Sequence, residues 1–338
     1  MPRKGGWRRE GSSGRFRYLD ARGNAITDEE KLERVRALVI PPAWKHVWIS
    51  PSASAKLQAT GVDAAGRRQY LYHASFRAQQ EHAKFDKLIR FAERLPELRA
   101  AMAEHMEHET LDRLRVSAIA MRLINAGWFR VGSERYAKES RTYGITTLRK
   151  SHVNVRGKKI AFDFRGKHRS VVRTTLVDDE LAASVKELLE LPGGRGLFRY
   201  EWEGARCSLT GARLNDYVRE YLGDEFTAKD FRTWGGTLIA AIAFAERGPV
   251  ETETEAKRVI PAVMRRVGNE LGNTPAVARS SYVSPAVIDQ YLDGRTIEDF
   301  RPRHLRVVSA RNPGLDPEEQ ALLSLLRSWK IKQSRAAA

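Results

Sequence analysis

The chain has 338 residues, 42% of them hydrophobic, enough for two domains or one large one with a sizeable core. Its 59 Lys and Arg against 42 Asp and Glu leave a formal charge of +17, which favours a polyanionic partner, nucleic acid before anionic membrane. The longest plain apolar run, LIAAIAFA at 238–245, is far short of a membrane span of roughly 20 residues, and the single cysteine, Cys207 in the loop-like EGARCSLTG, excludes an internal disulfide and a multi-cysteine zinc site.

Residues 1–17 are basic and glycine-rich with no apolar core for a secretory signal, and read as a disordered arm. Residues 18–76 hold a helical run, DEEKLERVRALV at 28–39, and strand-like pieces, HVWIS at 46–50 and RQYLYH at 68–73, between turn signals. This predicts a small β-rich domain. From 77 to 338 the pattern becomes helical. One helix is expected to end where Pro96 breaks it, another to fit 96–107, and a third 111–126, stopping at Gly127. HVNV, KKIAFDF and RSVVRTT within 151–176 predict three antiparallel strands with tight turns. Helices follow at about 178–191 with Asp178 as N-cap, 211–222, 228–246 with Thr227 as N-cap, 252–271, 284–292 and 316–330. Pro261 should kink or split the 252–271 helix. The fold class is α+β: a β-rich N-terminal domain and a larger, mainly helical domain with one small three-stranded sheet.

Two possible metal or phosphate signals come to little. Glu104, His105, Glu107, His108 and Glu109 crowd one helix end, where a solvated polar face is the simpler reading, and no GxxxxGK[ST] loop is present. A DNA phosphodiester cleaved without metal needs other parts: cations on the nonbridging oxygens, a nucleophile, and a proton donor for the basic 5′ oxygen. Arg130 in WFRVGSERY and Arg232 in TAKDFRTWGG offer bidentate cations, the latter near a helix start. Lys167 in FRGKHR sits at a predicted hairpin turn, and Asn273 in LGNTP is an uncharged donor. Tyr282 stands just before Ser284 and Pro285, which read as N-cap and first helical residue with Val283 and Ile288 as a hydrophobic staple. Each has a plainer alternative: ion pairs with Glu134 and Asp230 for the arginines, a solvated turn lysine, a turn asparagine and a loop aromatic. The order Arg, Lys, Arg, Asn, Tyr carries the weight.

Five pieces together resemble the type IB DNA topoisomerases of the small, poxvirus-like bacterial group: GRRQYLY at 66–72, FRVGSERY with YGITTL, FRGK at 164–167, KDFRTWG at 229–235 and LGNTPAVARSSYVSP at 271–285. The resemblance implies the recombinase and topoisomerase IB catalytic fold, and relaxation of supercoiled duplex DNA through a 3′-phosphotyrosyl link, strand rotation and religation, with neither ATP nor metal. It implies Tyr282 as nucleophile, Arg130 and Arg232 as the clamp on the scissile phosphate and Lys167 as general acid. Asn273 falls where many relatives have histidine; it can donate a hydrogen bond but cannot titrate, which implies a purely electrostatic role at a nonbridging oxygen. Arg67, Arg68, Gln69, Tyr70, Tyr72, Tyr136 and Lys229 match DNA-contacting positions, and the implied protein is a cytoplasmic, nucleoid-associated monomer clamping duplex DNA. A tyrosine recombinase shares this residue set, but Lys229 stands where recombinases usually have histidine. A DNA-binding protein without catalysis would explain the charge and leave Tyr282 without a purpose.

Overall fold

A computed structural model describes residues 5–12, 14–301 and 314–337. The chain divides into two compact units, Met1–Lys84 and Phe85–Ala338.

In the first unit, β1 (Trp7–Ser12), β2 (Arg15–Leu19), β3 (Lys45–Ile49), β4 (Leu57–Val62) and β5 (Arg68–Tyr72) form one antiparallel sheet in the order β2-β1-β3-β4-β5. Helix α1 (Glu29–Ala37), N-capped by Asp28, contributes Val35 to a core with Trp7, Val47, Ile49 and Ala59. The expectation of a disordered arm at 1–17 is corrected, apart from residues 1–4 and 13, which lie outside the described residues. The alternation is there: Phe16 and Tyr18 alternate with Arg15 and Arg17, and Trp7 is buried. Arg9 holds the hairpin down, donating to the carbonyls of Ile40, Pro41 and Trp44 at 3.2, 3.0 and 2.8 Å and lying 4.2 Å from the Phe16 ring centre. A basic stretch can thus be sheet when its arginines find carbonyls. Strand β4 was also unanticipated; its Gln58 is buried because the amide donates to Ala53 O and Ala55 O and accepts from Arg34.

The larger unit is mainly helical. Helix α2 (Ala74–Met106) runs through Pro96 without the break expected there. The buried stripe Phe91, Ala92, Leu95, Leu98 and Met102 spans the proline. At about 1.5–3 kcal/mol per buried large side chain it outweighs the roughly 3 kcal/mol that an interior proline costs. Then come α3 (Arg113–Gly127), its first turn capped by Asp112, and α4 (Glu134–Glu139). The expected sheet is present: β6 (Val153–Arg156), β7 (Lys159–Arg165) and β8 (Val171–Val177), antiparallel in chain order. Ile160, Phe162 and Phe164 face inward, the Phe162 ring 4.9 Å from that of Phe129.

Helix α5 (Asp179–Glu190) has the Asp178 cap expected of it. A hairpin of β9 (Arg199–Trp202) and β10 (Ala205–Ser208) replaces the loop read around Cys207, which pairs with Tyr200 in the ladder. The remaining helices are α6 (Gly211–Leu222), α7 (Asp230–Arg247), α8 (Glu253–Leu271), α9 (Pro275–Ser281), α10 (Pro285–Leu292) and α11 (Pro317–Ala337). Three readings change here. Thr227 does not cap α7, because the Asp230 carboxylate accepts both its N–H and its hydroxyl, at 2.8 and 3.0 Å. Helix α8 is not split at Pro261; Ala256, Ile260, Val263, Val267 and Leu271 bury one continuous stripe. Helix α11 continues well past residue 330. It is tied down by Glu319, which accepts from Arg99 at 2.7 and 2.8 Å and from the Trp234 indole at 3.0 Å.

Candidate active site

Arg130 lies just beyond α3, which ends with Trp128 in the left-handed conformation at φ 53°. The short stretch after it is held as a strand-like rung: Ile145 N–H donates to Arg130 O and Thr146 N–H to Val131 O, both at 2.8 Å. This is the structural use of FRVG and YGITT. The guanidinium then reaches the turn between α8 and α9, donating to Gly272 O at 3.0 Å and to Asn273 Oδ1 at 2.7 Å. Asn273 is itself fixed, its N–H on Gly268 O at 2.7 Å and its Nδ2 on Leu271 O at 3.2 Å.

Arg232, on the first turn of α7, is 4% exposed. Its guanidinium donates to Trp128 O and, at 2.6 Å, to Leu271 O. Its carbon lies 5.1 Å from the centre of the Tyr282 ring. Among the described residues neither Arg130 nor Arg232 has a carboxylate partner, so the sequence alternative of ion pairs with Glu134 and Asp230 is not taken up. Asp230 pairs with Lys87 at 2.9 Å instead. Burial, reinforced by the neighbouring charge of Arg130, pulls the Arg232 guanidinium down to about 10. Burial likewise lowers Arg130. One buried and one half-buried guanidinium, neither with an acid partner among the described residues, make a strongly positive locus.

Tyr282 caps the C-terminus of α9 and is half-buried. Burial pushes its phenol up; the charge and hydrogen bond of Arg232, then the charges of Arg130 and Lys229, more than offset this, and the net shift is downward. Elsewhere in this unit burial dominates: Tyr217 is driven far up, out of the titrating range. The contrast shows what the cations do for Tyr282.

The seat of Tyr282 went unnoticed in the sequence. It is made by Gly236 and Thr237 on α7. A Cβ on Gly236 would stand 2.7 Å from Tyr282 O and 2.9 Å from its Cβ, so only glycine lets α7 approach. One residue earlier, a Cβ on Gly235 would stand 2.4 Å from the Trp128 ring, whose carbonyl receives Arg232. The fully buried Thr237 hydroxyl accepts from Ser284 N–H at 3.1 Å and lies 3.1 Å from Tyr282 O. The available signal was a glycine pair inside an apolar helix, which costs roughly 1 kcal/mol per residue against alanine unless packing demands it.

Lys167 forms no hydrogen bond or ion pair with these groups among the described residues. It sits exposed on the turn between β7 and β8, followed by His168 and Arg169 with φ of 58° and 60°. Its carbonyl accepts from Ser170 Oγ at 2.9 Å, and its ammonium has no partner among the described residues. The turn nonetheless borders the site: a cavity of about 110 Å³ is lined by Arg130, Arg232, Leu271 and Gly272 and by Gly166, Ser170 and Val172. Lys229 directly precedes α7, and Tyr136 is exposed on α4. In the first unit, Arg67 and Gln69 both donate to Asp63 at 2.8 Å, while Arg68, Tyr70 and Tyr72 are exposed, the two tyrosine rings 6.2 Å apart and nearly parallel.

Comparison with known proteins agrees with both units. Residues 73–299 match the family described as the catalytic core of eukaryotic DNA topoisomerase I, and residues 15–63 match the N-terminal domain of bacterial DNA topoisomerase IB. The chain belongs to the type IB DNA topoisomerase family. Among its relatives, DNA topoisomerase 1B of Acanthamoeba polyphaga mimivirus is 32% identical over 292 residues, covering 84% of this chain and 86% of that one. DNA topoisomerase 1B of vaccinia virus, strain Western Reserve, is 21% identical over 252 residues, and DNA topoisomerase I of monkeypox virus 22% over the same length, each covering 74% of this chain and 76% of its own. The β-rich first unit and the mainly helical second unit with its three-stranded sheet are consistent with the topoisomerase IB fold. No helix among the described residues is long and apolar enough to cross a membrane.

Proposed function

We propose that this enzyme relaxes supercoiled duplex DNA by transient cleavage of one strand, using Tyr282 as nucleophile. The Tyr282 oxygen attacks the scissile phosphorus and loses its proton to solvent. The P–O5′ bond breaks and leaves a 3′-phosphotyrosyl link, while the departing 5′ oxygen takes a proton from Lys167. The free 5′-hydroxyl end rotates and attacks the same phosphorus, returning its proton to Lys167, and the phenolate is expelled and reprotonated by solvent. The ester bond energy is kept in the covalent link, so the reaction requires neither ATP nor metal.

In this reading Arg130 and Arg232 take the charge that grows on the nonbridging oxygens, in a site where they are already desolvated and held by carbonyls. Asn273 orients Arg130 and, with DNA in place, turns its amide N–H toward a nonbridging oxygen. Lys167, on an exposed turn beside the cavity, reaches the leaving oxygen along a groove. Arg67, Arg68, Gln69, Tyr70, Tyr72, Tyr136 and Lys229 contact DNA beyond the scissile phosphate, and the protein acts as a monomeric clamp in the nucleoid of the cytoplasm. The observation that carries the reading is the lowered phenol of Tyr282 beside the buried Arg232 and the half-buried Arg130, neither with an acid partner among the described residues.

The test is purified protein on supercoiled plasmid with chelator present and ATP absent. A ladder of relaxed topoisomers is expected. Tyr282→Phe should abolish relaxation and the covalent adduct while retaining DNA binding; relaxation that survives this substitution sinks the proposal.

A further inference from the structure

The first unit's sheet has two unlike faces. One carries Val47, Ile49, Ala59 and Leu71 and packs on Val35 of α1. The other is open, and its composition follows from the register: Leu19↔Arg8, Arg8↔Trp48, Trp48↔Thr60 and Thr60↔Tyr70 place those residues in one row across all five strands. Arg17, opposite Glu10, and Arg15, opposite Ser12, lie on the same face of the β1–β2 hairpin, and Arg68 and Tyr72 on that of β5. Glu10 is the one acid among the described strand residues of this face, and it pairs with Arg17 at 2.8 Å.

Arg8, Arg15 and Arg68 are set apart by what they lack. Arg9 and Arg34 in the same unit direct their donors to backbone carbonyls, and Arg36 and Arg67 pair with Glu29 and Asp63. Arg8, Arg15 and Arg68 have neither an ion pair nor a side-chain hydrogen bond among the described residues, and all three are exposed. Exposed Tyr70 and Tyr72 stand at the far edge, beside a depression of about 430 Å³ that Trp48 and Lys56 also line.

We infer that the β1–β2 hairpin is a second phosphate-binding edge, so that this unit holds duplex DNA across its whole open face and not at β5 alone. Adjacent strands are about 4.8 Å apart, so β2 and β5 are separated by roughly 19 Å, about the axial length of five or six base pairs. Unpaired arginines at that spacing suit two stretches of sugar–phosphate backbone; they carry no pattern that would read base sequence. This inference rests on the DNA-relaxing activity proposed above.

The experiment is binding of the full-length protein to a random-sequence duplex of about 30 base pairs, followed by fluorescence anisotropy over a range of NaCl. The double variant Arg8→Ala/Arg15→Ala should lower the slope of log affinity against log salt by about 2, one for each phosphate no longer neutralised. Lys31→Ala/Arg36→Ala removes the same number of charges from α1 and should leave the slope unchanged. Glu10→Gln frees Arg17 and should raise affinity. The inference is overturned if the first double variant keeps the wild-type slope, or if the α1 variant loses as much, which would make the effect one of net charge. If the wild type neither binds duplex nor relaxes plasmid, the functional reading itself fails, an outcome distinct from both.

Discussion

Arginine is used in opposite ways in the two units. At the candidate active site Arg232 is buried and Arg130 half-buried, both fixed on carbonyls of Trp128, Leu271 and Gly272 and without acid partners among the described residues. On the open sheet face Arg8, Arg15 and Arg68 are solvated and held by nothing among the described residues. A guanidinium already desolvated and oriented needs no reorganisation when charge develops beside it, which suits a transition state. A solvated one gains by releasing counterions from DNA, which suits affinity. On the function proposed above, the same residue type serves rate in one unit and binding in the other, and the two contributions should separate in measurement.

The largest separation is expected at Arg232. Arg232→Ala should cost roughly 10² or more in single-turnover cleavage rate at saturating DNA, with a modest change in binding. A comparable loss in affinity with an unchanged rate would erase the distinction. Gly236→Val should come next: the added side chain forces α7 and Tyr282 apart, and a displacement of about 1 Å costs on the order of 10² in rate. A variant that cleaves normally would show that the close approach has no role in the chemistry. Asn273→Ala removes the acceptor that orients Arg130 and should cost roughly 10-fold or more, as for a hydrogen bond to a charged group. Asn273→Asp keeps the acceptor but gives Arg130 an acid partner beside the phosphate and loses the amide donor, so it should fare worse than Asn273→Ala if the cations must be left to the anion.

The pH dependence sharpens the comparison further. A phenol held below the ordinary tyrosine value by cations ionises earlier as pH rises, so the wild-type cleavage rate should climb with pH and flatten below about 10. Arg130→Ala removes a cation, so the bend should move up; an unmoved bend would assign the titration to another group. Substituting arginines of the sheet face should leave this profile unchanged.

Much of the fold was legible because periodicity survives in the sequence. The strands at 151–176 and the caps at Asp178 and Ser284 follow local rules, and they stand where they were expected. What local rules missed was decided by distant partners. Pro96 and Pro261 look like breaks until the stripes that bury both sides of each are known. The N-terminal hairpin reads as a charged arm until Arg9 meets the carbonyls at 40–44. At the site, residue types and order were readable, whereas the partners were not. Arg130 is held by the carbonyl of Gly272, 142 positions away, and no spacing rule reaches that far. Lys167 is on the turn foreseen for it, exposed, beside the residues that line the cavity.

Arg232 and Gly236 are four residues apart on α7, hence on one side of the helix, one turn removed. The cation proposed for the clamp and the surface against which the phenol's backbone rests are therefore graduations on a single rod, about 6 Å apart along its axis. Tilting or sliding that rod carries both together, so thermal motion of α7 does little to their separation. Improving this enzyme by repacking α7 would thus be unusually unforgiving, whereas the turn that bears Lys167, built on a different element, is free to be tuned by itself.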